Sequence, residues 1–313
     1  MSIDQAIALP HPARDFACTN DRLPKGSVYR SVAARREYFE AYDEIVARLN
    51  MPVRAMSVPT RYGSTHISVA GDPASKPLML LPGMSICGPL MLEFFEFLVA
   101  DRMVIAPDLV GQPGLSADGV FKPGGNAYGK WLTDVLDGLG IKKIDIVGPS
   151  FGGSIGLDFA ALHPERVGKM ALIVTAGLTP SIPYARVYAP LFITWLLYRY
   201  LPYKPILGTI AKPMCRVWEP QNLDYLDLVI RTTNYWRHRP AGVFSQGQFK
   251  DSIEPVFISF SRRDHLLPYR RTRERAHKVL PIAREMIMDN SAHMPNLDDV
   301  RPVHREIQRF LAG

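Results

Sequence analysis

Five residues, Gly148-Pro149-Ser150-Phe151-Gly152, constrain this chain more than any other stretch. They follow an apolar run, Ile141 to Val147, that reads as a buried parallel strand. They precede Gly153 to Val167, which reads as a helix with apolar positions at Ile155, Phe159 and Ala160. A Gly-x-Ser-x-Gly match says little alone; its place between strand and helix carries the weight. A sharp strand-to-helix turn pushes one side chain out of a strained backbone, and flanking glycines let strand and helix pack closely. The serine hydroxyl then stands at the start of a helix, facing unsatisfied N–H groups and the positive end of the dipole. The plainer reading is a serine in an ordinary glycine-rich turn, and the context disfavours it.

A serine hydroxyl is a poor nucleophile until a base takes its proton, which directs attention to the eight histidines. His293 follows the strand-like run Glu285 to Met288 and precedes a helical pattern, Val300 to Leu311. It therefore falls on a loop at the carboxyl end of a strand, the same sheet edge as Ser150. His163 lies in a helix end followed by proline. His277 and His304 fall inside helical patterns. His11 is in the N-terminal tail, His66 in a probable-edge hairpin strand, and His238 in a basic stretch.

The imidazole needs a carboxylate to fix its tautomer and stabilise its positive charge. Pro255 to Ser261 reads as another buried strand, ending in Arg262-Arg263-Asp264-His265. Asp264 alone reads as a helix N-cap before Tyr269 to Leu280. With Ser150 and His293 on matching loops, it reads better as the third member of a serine–aspartate–histidine set. The apolar strand Leu78 to Leu81, broken by Pro82-Gly83-Met84, supplies a fourth part. The backbone N–H groups of Met84 and Phe151 are the expected oxyanion donors.

These features, in the chain order Ser150, Asp264, His293, resemble the α/β-hydrolase fold superfamily from about Val53 to the C-terminus. Pro107-Asp108-Leu-Val-Gly111-Gln-Pro-Gly114-Leu-Ser116 is similar to the family's Asp-x-x-Gly-x-Gly-x-Ser loop, with one extra residue between the glycines. His163-Pro164-Glu165-Arg166-Val167 is a familiar family phrase after the serine helix. The chain departs from the usual pattern at Pro82, where His is common, and at Pro149, before the serine.

The expected fold class is α/β: a mostly parallel central sheet with helices on both faces and an inserted helical cap. Strand and helix runs alternate through Pro77–Leu81, Leu90–Val99, Met103–Pro107, Ala127–Leu139 and Met170–Val174. Arg54 to Val69 reads as a hairpin at an antiparallel edge. Residues 1–50 form an N-terminal extension, helical over Ser31 to Leu49, while 51–177 and 252–313 form the core. The resemblance makes residues 178–251 a cap, or lid, over Ser150. The segment is rich in aromatics: Tyr184, Tyr188, Phe192, Trp195, Tyr198, Tyr200, Tyr203, Trp218, Tyr225, Tyr235 and Trp236. Most of these must hold the cap together, and the surface they line favours an apolar acyl or alcohol group.

The chain has 313 residues, 47% of them hydrophobic and 21% charged, as in a globular protein. Cys18, Cys87 and Cys215 form no metal spacing and leave one over, which suits free thiols in a reducing cytoplasm. The N-terminus does not read as a signal peptide, and no apolar stretch is long enough to span a bilayer. Part of the net charge of +7 lies between Arg262 and Lys278. With no aromatics interleaved as a stacking surface beyond the lone Tyr269, that stretch reads as a solvated helix on the back of the sheet and not as a nucleic-acid surface. His-Glu-x-x-His, P-loop and Gly-x-Gly-x-x-Gly signatures are absent, so no metal and no organic cofactor is expected.

The resulting expectation is a serine hydrolase cleaving a carboxylic ester, or related acyl bond, of a small apolar substrate. The same residues also serve thioesterases, lactonases, carbon–carbon hydrolases and acyltransferases. A non-hydrolytic small-molecule receptor is a further reading, since fold does not fix reaction. The oligomeric state is left open by the sequence.

Overall fold

The computed structural model of the protein describes residues 22–119, 121, 124, 126–179, 192–212, 214–215, 220–234, 243–245, 248–249, 252–295 and 297–313. An eight-stranded sheet in the order β1-β2-β4-β3-β5-β6-β7-β8 runs through it. The strands are β1 (Val53–Thr60), β2 (Gly63–Ala70), β3 (Pro77–Leu80), β4 (Met103–Pro107), β5 (Ile144–Pro149), β6 (Val167–Ile173), β7 (Val256–Ser261) and β8 (Ile282–Met288). β1 and β2 form the expected antiparallel hairpin, and β2 also runs antiparallel to β4; all other pairings are parallel. Two residues close the hairpin, Thr60 facing Gly63, and Gly63 takes a φ of 107° that a side chain would resist.

Alternation along each strand sends side chains to opposite faces. Met79 and Leu81 join Ile105, Ile146 and Ile258 on one face. That face is covered by α3 (Ala127–Gly138), α4 (Phe151–Ala160) and α8 (Tyr269–Val279). Leu78 and Leu80 join Val104, Val147, Ala171 and Phe257 on the other, beneath α2 (Gly88–Phe94) and α9 (Leu297–Ala312). β3, β4 and β7 are almost wholly buried, which is why they read as unbroken apolar runs in the sequence.

Several element boundaries differ from the sequence reading. The helix after Ser150 spans Phe151–Ala160 and stops well short of Val167. Pro164 disfavours helical backbone at the residue before it, and His163 turns out at φ −138°, ψ 63°. A single 3-10 turn, Pro164–Arg166, then leads into β6, which starts at Val167. The helix expected over Leu90–Val99 breaks at Phe95 (φ −121°) into α2 and a short 3-10 turn, Glu96–Leu98. β8 and α9 each begin three residues earlier than their patterns suggested.

Before the sheet lies α1 (Val32–Ala47), capped by the Ser31 hydroxyl accepting from Ala34 N–H. Its face of Tyr38, Phe39, Tyr42 and Ile45 packs with Cys87 and Leu90, and with Tyr225, Leu228 and Val229. The last three belong to α7 (Pro220–Thr232), which follows α5 (Phe192–Tyr200) and α6 (Lys204–Ala211) between β6 and β7. Among the described residues this insertion contains no strand of its own. None of the described helices is long and apolar enough to cross a membrane.

Candidate active site

Ser150 sits where β5 ends and α4 begins, with φ 47° and ψ −114°, a conformation rare outside glycine. Its neighbours explain how it is held there. A Cβ on Gly148 would stand 2.6 Å from the Gly153 nitrogen, and one on Gly153 would stand 2.1 Å from the Thr175 hydroxyl. The Ser150 N–H donates to Ile173 O at 2.8 Å, and Ala176 N–H donates to Ser150 O at 3.0 Å, so the turn is tied to the end of β6. Val174, just beyond β6, is itself at φ 42°, a costly value for a β-branched residue.

Asp264 and His293 come from the loops after β7 and β8. Asp264 is 7% exposed, and its Oδ1 accepts the N–H groups of Leu266 and Leu267, both at 2.8 Å. Its Oδ2 lies 2.8 Å from His293 Nδ1, and His293 Nε2 lies 2.8 Å from Ser150 Oγ. A carboxylate can only accept, so Nδ1 carries the proton and donates it to Asp264. The Nε2 lone pair is then left to accept the Ser150 hydroxyl. The histidine loop is itself fastened: Ser291 Oγ donates to Asp299, Arg263 N–H donates to Ser291 O, and Met294 N–H donates to Met214 O at 2.7 Å. Met214 lies in the insertion, so the insertion reaches the histidine loop directly.

The turn after β3 lies against the same elbow. Leu81 N–H donates to Val147 O at 2.9 Å, and Gly152 packs so closely that a Cβ there would fall 2.1 Å from Leu81 O and 2.9 Å from Pro82 O. Gly152, one residue into α4, thus lies against the strand end that leads to Pro82-Gly83-Met84, and Phe151 is the first residue of α4, whose N–H has no carbonyl partner within its helix. The loop Asp108–Ser116 braces this region. Asp108 Oδ1 accepts Gly88 N–H and Oδ2 accepts Leu115 N–H, while Ser116 Oγ donates to Asp108 O. Burial pushes the Asp108 carboxyl up to about 6, against the lowering effect of those two N–H donors. Burial likewise pushes the neighbouring Cys87 thiol up to about 12, so it stays protonated.

Two residues at this site were not singled out from the sequence. Gln112 Oε1 accepts Ser85 N–H at 2.6 Å, and the Tyr225 hydroxyl donates to Ser85 O at 2.8 Å. Of the aromatics noted in the insertion, Tyr198 and Tyr225 are buried, while Tyr200 and Tyr203 are exposed. Tyr184, Tyr188, Trp218, Tyr235 and Trp236 lie outside the described residues, as do Cys18, His11 and His238. Cys87 and Cys215 are both buried and not disulfide-bonded. Among the described residues no cluster of three or more His, Cys, Asp or Glu could hold a metal ion.

Comparison with known proteins agrees with this architecture. Residues 76–199 match the family model described as alpha/beta hydrolase fold. The chain is 23% identical over 302 residues to the carboxylesterase YbfK of Bacillus subtilis (strain 168), covering 91% of this chain and 97% of that protein. It is 40% identical over 111 residues to a 2-hydroxymuconate semialdehyde hydrolase of Pseudomonas putida, covering 29% of this chain and 37% of that one. The crystal structure of naproxen esterase (carboxylesterase NP) from Bacillus subtilis superposes with a TM-score of 0.74 at 20% identity, over 88% of this chain and 97% of that one.

Proposed function

The chain belongs to the α/β-hydrolase fold superfamily, and from that premise we propose that it is a serine hydrolase cleaving a carboxylic ester of a small, largely apolar substrate. The observation that carries the reading is the unbroken relay from Ser150 Oγ through the His293 ring to Asp264 Oδ2, each of its two hydrogen bonds 2.8 Å long. Ser150 Oγ attacks the substrate carbonyl carbon while His293 Nε2 takes the hydroxyl proton. The resulting oxyanion is held by the N–H groups of Met84 and Phe151. As the carbonyl re-forms, the ester C–O bond breaks, and His293 gives its proton to the departing alcohol. A water molecule, deprotonated by His293, attacks the acyl-serine, and the carboxylic acid leaves as Ser150 recovers its proton. Asp264 stays ionised throughout and stabilises the imidazolium.

The helices α5 to α7 serve as the cap (lid) of this site in the reading, excluding water and giving the acyl group an apolar surface. The relationship to carboxylesterases over nearly the whole chain supports ester cleavage. Three cysteines without a disulfide pattern, Cys87 among them buried with a protonated thiol, favour a reducing compartment, the cytoplasm.

The test is labelling with a fluorophosphonate, wild type beside Ser150→Ala, and hydrolysis of p-nitrophenyl esters from acetate to long chain. Labelling and turnover that both vanish in Ser150→Ala are expected. A folded wild type that neither labels nor turns over would remove the hydrolase reading and favour a ligand-binding role. A second reading, carbon–carbon bond hydrolysis, draws on the local 40% identity to the semialdehyde hydrolase. Turnover of 2-hydroxymuconate semialdehyde in preference to esters would bring it forward.

A further inference from the structure

The geometry points to Tyr225 and Gln112 as positioning residues that clamp the Ser85 peptide and thereby hold the turn bearing Met84 in its working shape. This rests on the acyl-transfer reading above. Gly83 to Ile86 is a tight turn closed by Ile86 N–H donating to Gly83 O at 3.2 Å. Its third residue, Ser85, has φ 62°, and Met84 is not among the positive-φ residues, which is the pattern of a turn that ordinarily takes glycine at the third position. A serine there is strained, and strain persists only where surrounding contacts over-determine it. Ser85 is 4% exposed, so water is a poor candidate for that task.

Two side chains hold both polar ends of this residue. Gln112 Oε1 accepts its N–H at 2.6 Å, and the Tyr225 hydroxyl donates to its carbonyl at 2.8 Å. A tyrosine has one hydroxyl proton, so with that proton spent on Ser85, Tyr225 must accept from the Tyr38 hydroxyl 2.8 Å away. The chain therefore runs from α1 through α7 to the oxyanion turn. Gln112 reaches the other donor as well: its Nε2 donates to the Tyr128 hydroxyl at 3.2 Å, and the Tyr128 ring meets Phe151 edge-on with centroids 5.1 Å apart. One amide thus braces the turn carrying Met84 and, through a ring, the residue carrying the second N–H. Buried polar groups must be satisfied somewhere. What marks these as positioning contacts is that both gripped atoms belong to the one strained residue next to Met84.

The experiment compares Tyr225→Phe and Gln112→Met with Thr65→Val, which also loses a buried hydroxyl bond (Trp131 Nε1 donating to Thr65 Oγ1, 2.8 Å) but lies in the core, outside this chain of contacts and outside the cap. Four quantities are read: kcat and KM on the best p-nitrophenyl ester, affinity for a trifluoromethyl ketone with the same acyl chain, and Tm. The ketone forms a serine adduct whose oxyanion needs the same two N–H groups. In Tyr225→Phe and Gln112→Met, kcat is expected to fall about 10- to 100-fold, with KM within about threefold and ketone affinity falling in parallel with kcat. Thr65→Val is expected to lose Tm while keeping both. If both clamp variants retain kcat and ketone affinity within about twofold of wild type, or if losses merely follow Tm across all three, the inference falls while the hydrolase reading stands. Should Tyr225→Phe fail to fold, Gln112→Met decides alone. A wild type inert to fluorophosphonate and esters overturns the hydrolase reading, and the clamp with it.

Discussion

Gly152 lies against Leu81 with no room for a side chain: a methyl group would stand 2.1 Å from the Leu81 carbonyl oxygen and 2.7 Å from its carbon. Both are backbone atoms of the strand end that leads into the oxyanion turn, so they cannot swing aside as a flexible side chain would. Gly152→Ala must push the elbow and the turn apart. Since a displacement near one ångström at reacting groups costs about a hundredfold, kcat on esters is expected to fall at least that far. Gly208, in α6, offers the contrast, because nothing lies within 4 Å of a Cβ added there. Gly208→Ala should leave kcat unchanged and stabilise the helix by up to about 1 kcal/mol. Steady-state kinetics beside thermal melts of the two variants check both.

Asp264 accepts three hydrogens, two from the loop at Oδ1 and one from His293 at Oδ2. In Asp264→Asn the carbonyl oxygen can keep the loop contacts, which turns the amide NH2 toward His293. A donor there forces the imidazole into the opposite tautomer, with Nε2 protonated and unable to take the Ser150 proton. The fold should survive and kcat should drop about 10⁴-fold, with KM within a few-fold. Asp264→Ala, which also strips the loop of its acceptor, should lose Tm as well. Kinetics and melting curves of the pair separate the two roles, and equal Tm losses with near-normal kcat would contradict this assignment.

Ser150, Asp264 and His293 were legible because each stands where an apolar run gives way to a turn, and parallel strands put all such loops on one edge. The mostly parallel sheet was readable from the alternation of strand and helix runs, whereas the strand order was not. Nor were Gln112 and Tyr225. They meet at Ser85 from 27 and 140 positions away, and local pattern carries no record of such a meeting. Gln112 did leave a trace, as one of the two residues between Gly111 and Gly114 where the family loop has one. α1 was legible as a helix, but its mixed charge concealed what it does: Tyr38 and Tyr42 are buried against the core and α7. The early stop of α4 agrees with Pro164, which already marked His163 as a helix end although the helical reading was carried on to Val167.

His304 provides a pH handle away from the site. Its ring stacks on Phe97 with centroids 4.3 Å apart, and burial pushes its pKa down to about 4. The folded state therefore refuses a proton that the unfolded chain accepts near 6.5. The neutral ring's contribution is fully present above that value and is lost as pH falls toward 4. His304→Phe keeps a stacking ring and removes the titration. The stability of His304→Phe relative to wild type should rise as pH drops from about 6.5 to 4, by at most about 3 kcal/mol. Asp108, raised to about 6 by burial, works in the opposite sense, binding its proton more tightly when folded. It is common to both proteins, so it cancels in the difference. Urea unfolding at several pH values measures this, and a pH-independent difference would contradict it.

Asp145 tests stability apart from chemistry, because it sits near the amino end of β5, at the far end of the strand from Ser150. Its side chain is 2% exposed and lies 2.8 Å from both Arg102 Nη1 and Lys76 Nζ, while Lys169 N–H donates to Oδ1 at 2.9 Å. Burial alone would raise its pKa, but the hydrogen bonds from Lys76 and the Lys169 N–H, with Lys76's charge and Arg102, outweigh it and hold the carboxyl below its usual range. That stabilisation is present above about pH 4 and is lost as pH falls through the depressed value. Asp145→Ala strands the Arg102 guanidinium, itself only 10% exposed, with a single strong acceptor in Leu311 O. Leaving one partner of a buried pair uncompensated costs about 3–5 kcal/mol. Lys76 is 60% exposed, so Lys76→Ala should cost about 1 kcal/mol or less. Urea unfolding at pH 7 should rank the two variants in that order. Where Asp145→Ala is still folded at low temperature, its kcat should match wild type within about twofold, because nothing in the relay from Ser150 to Asp264 touches this end of the sheet.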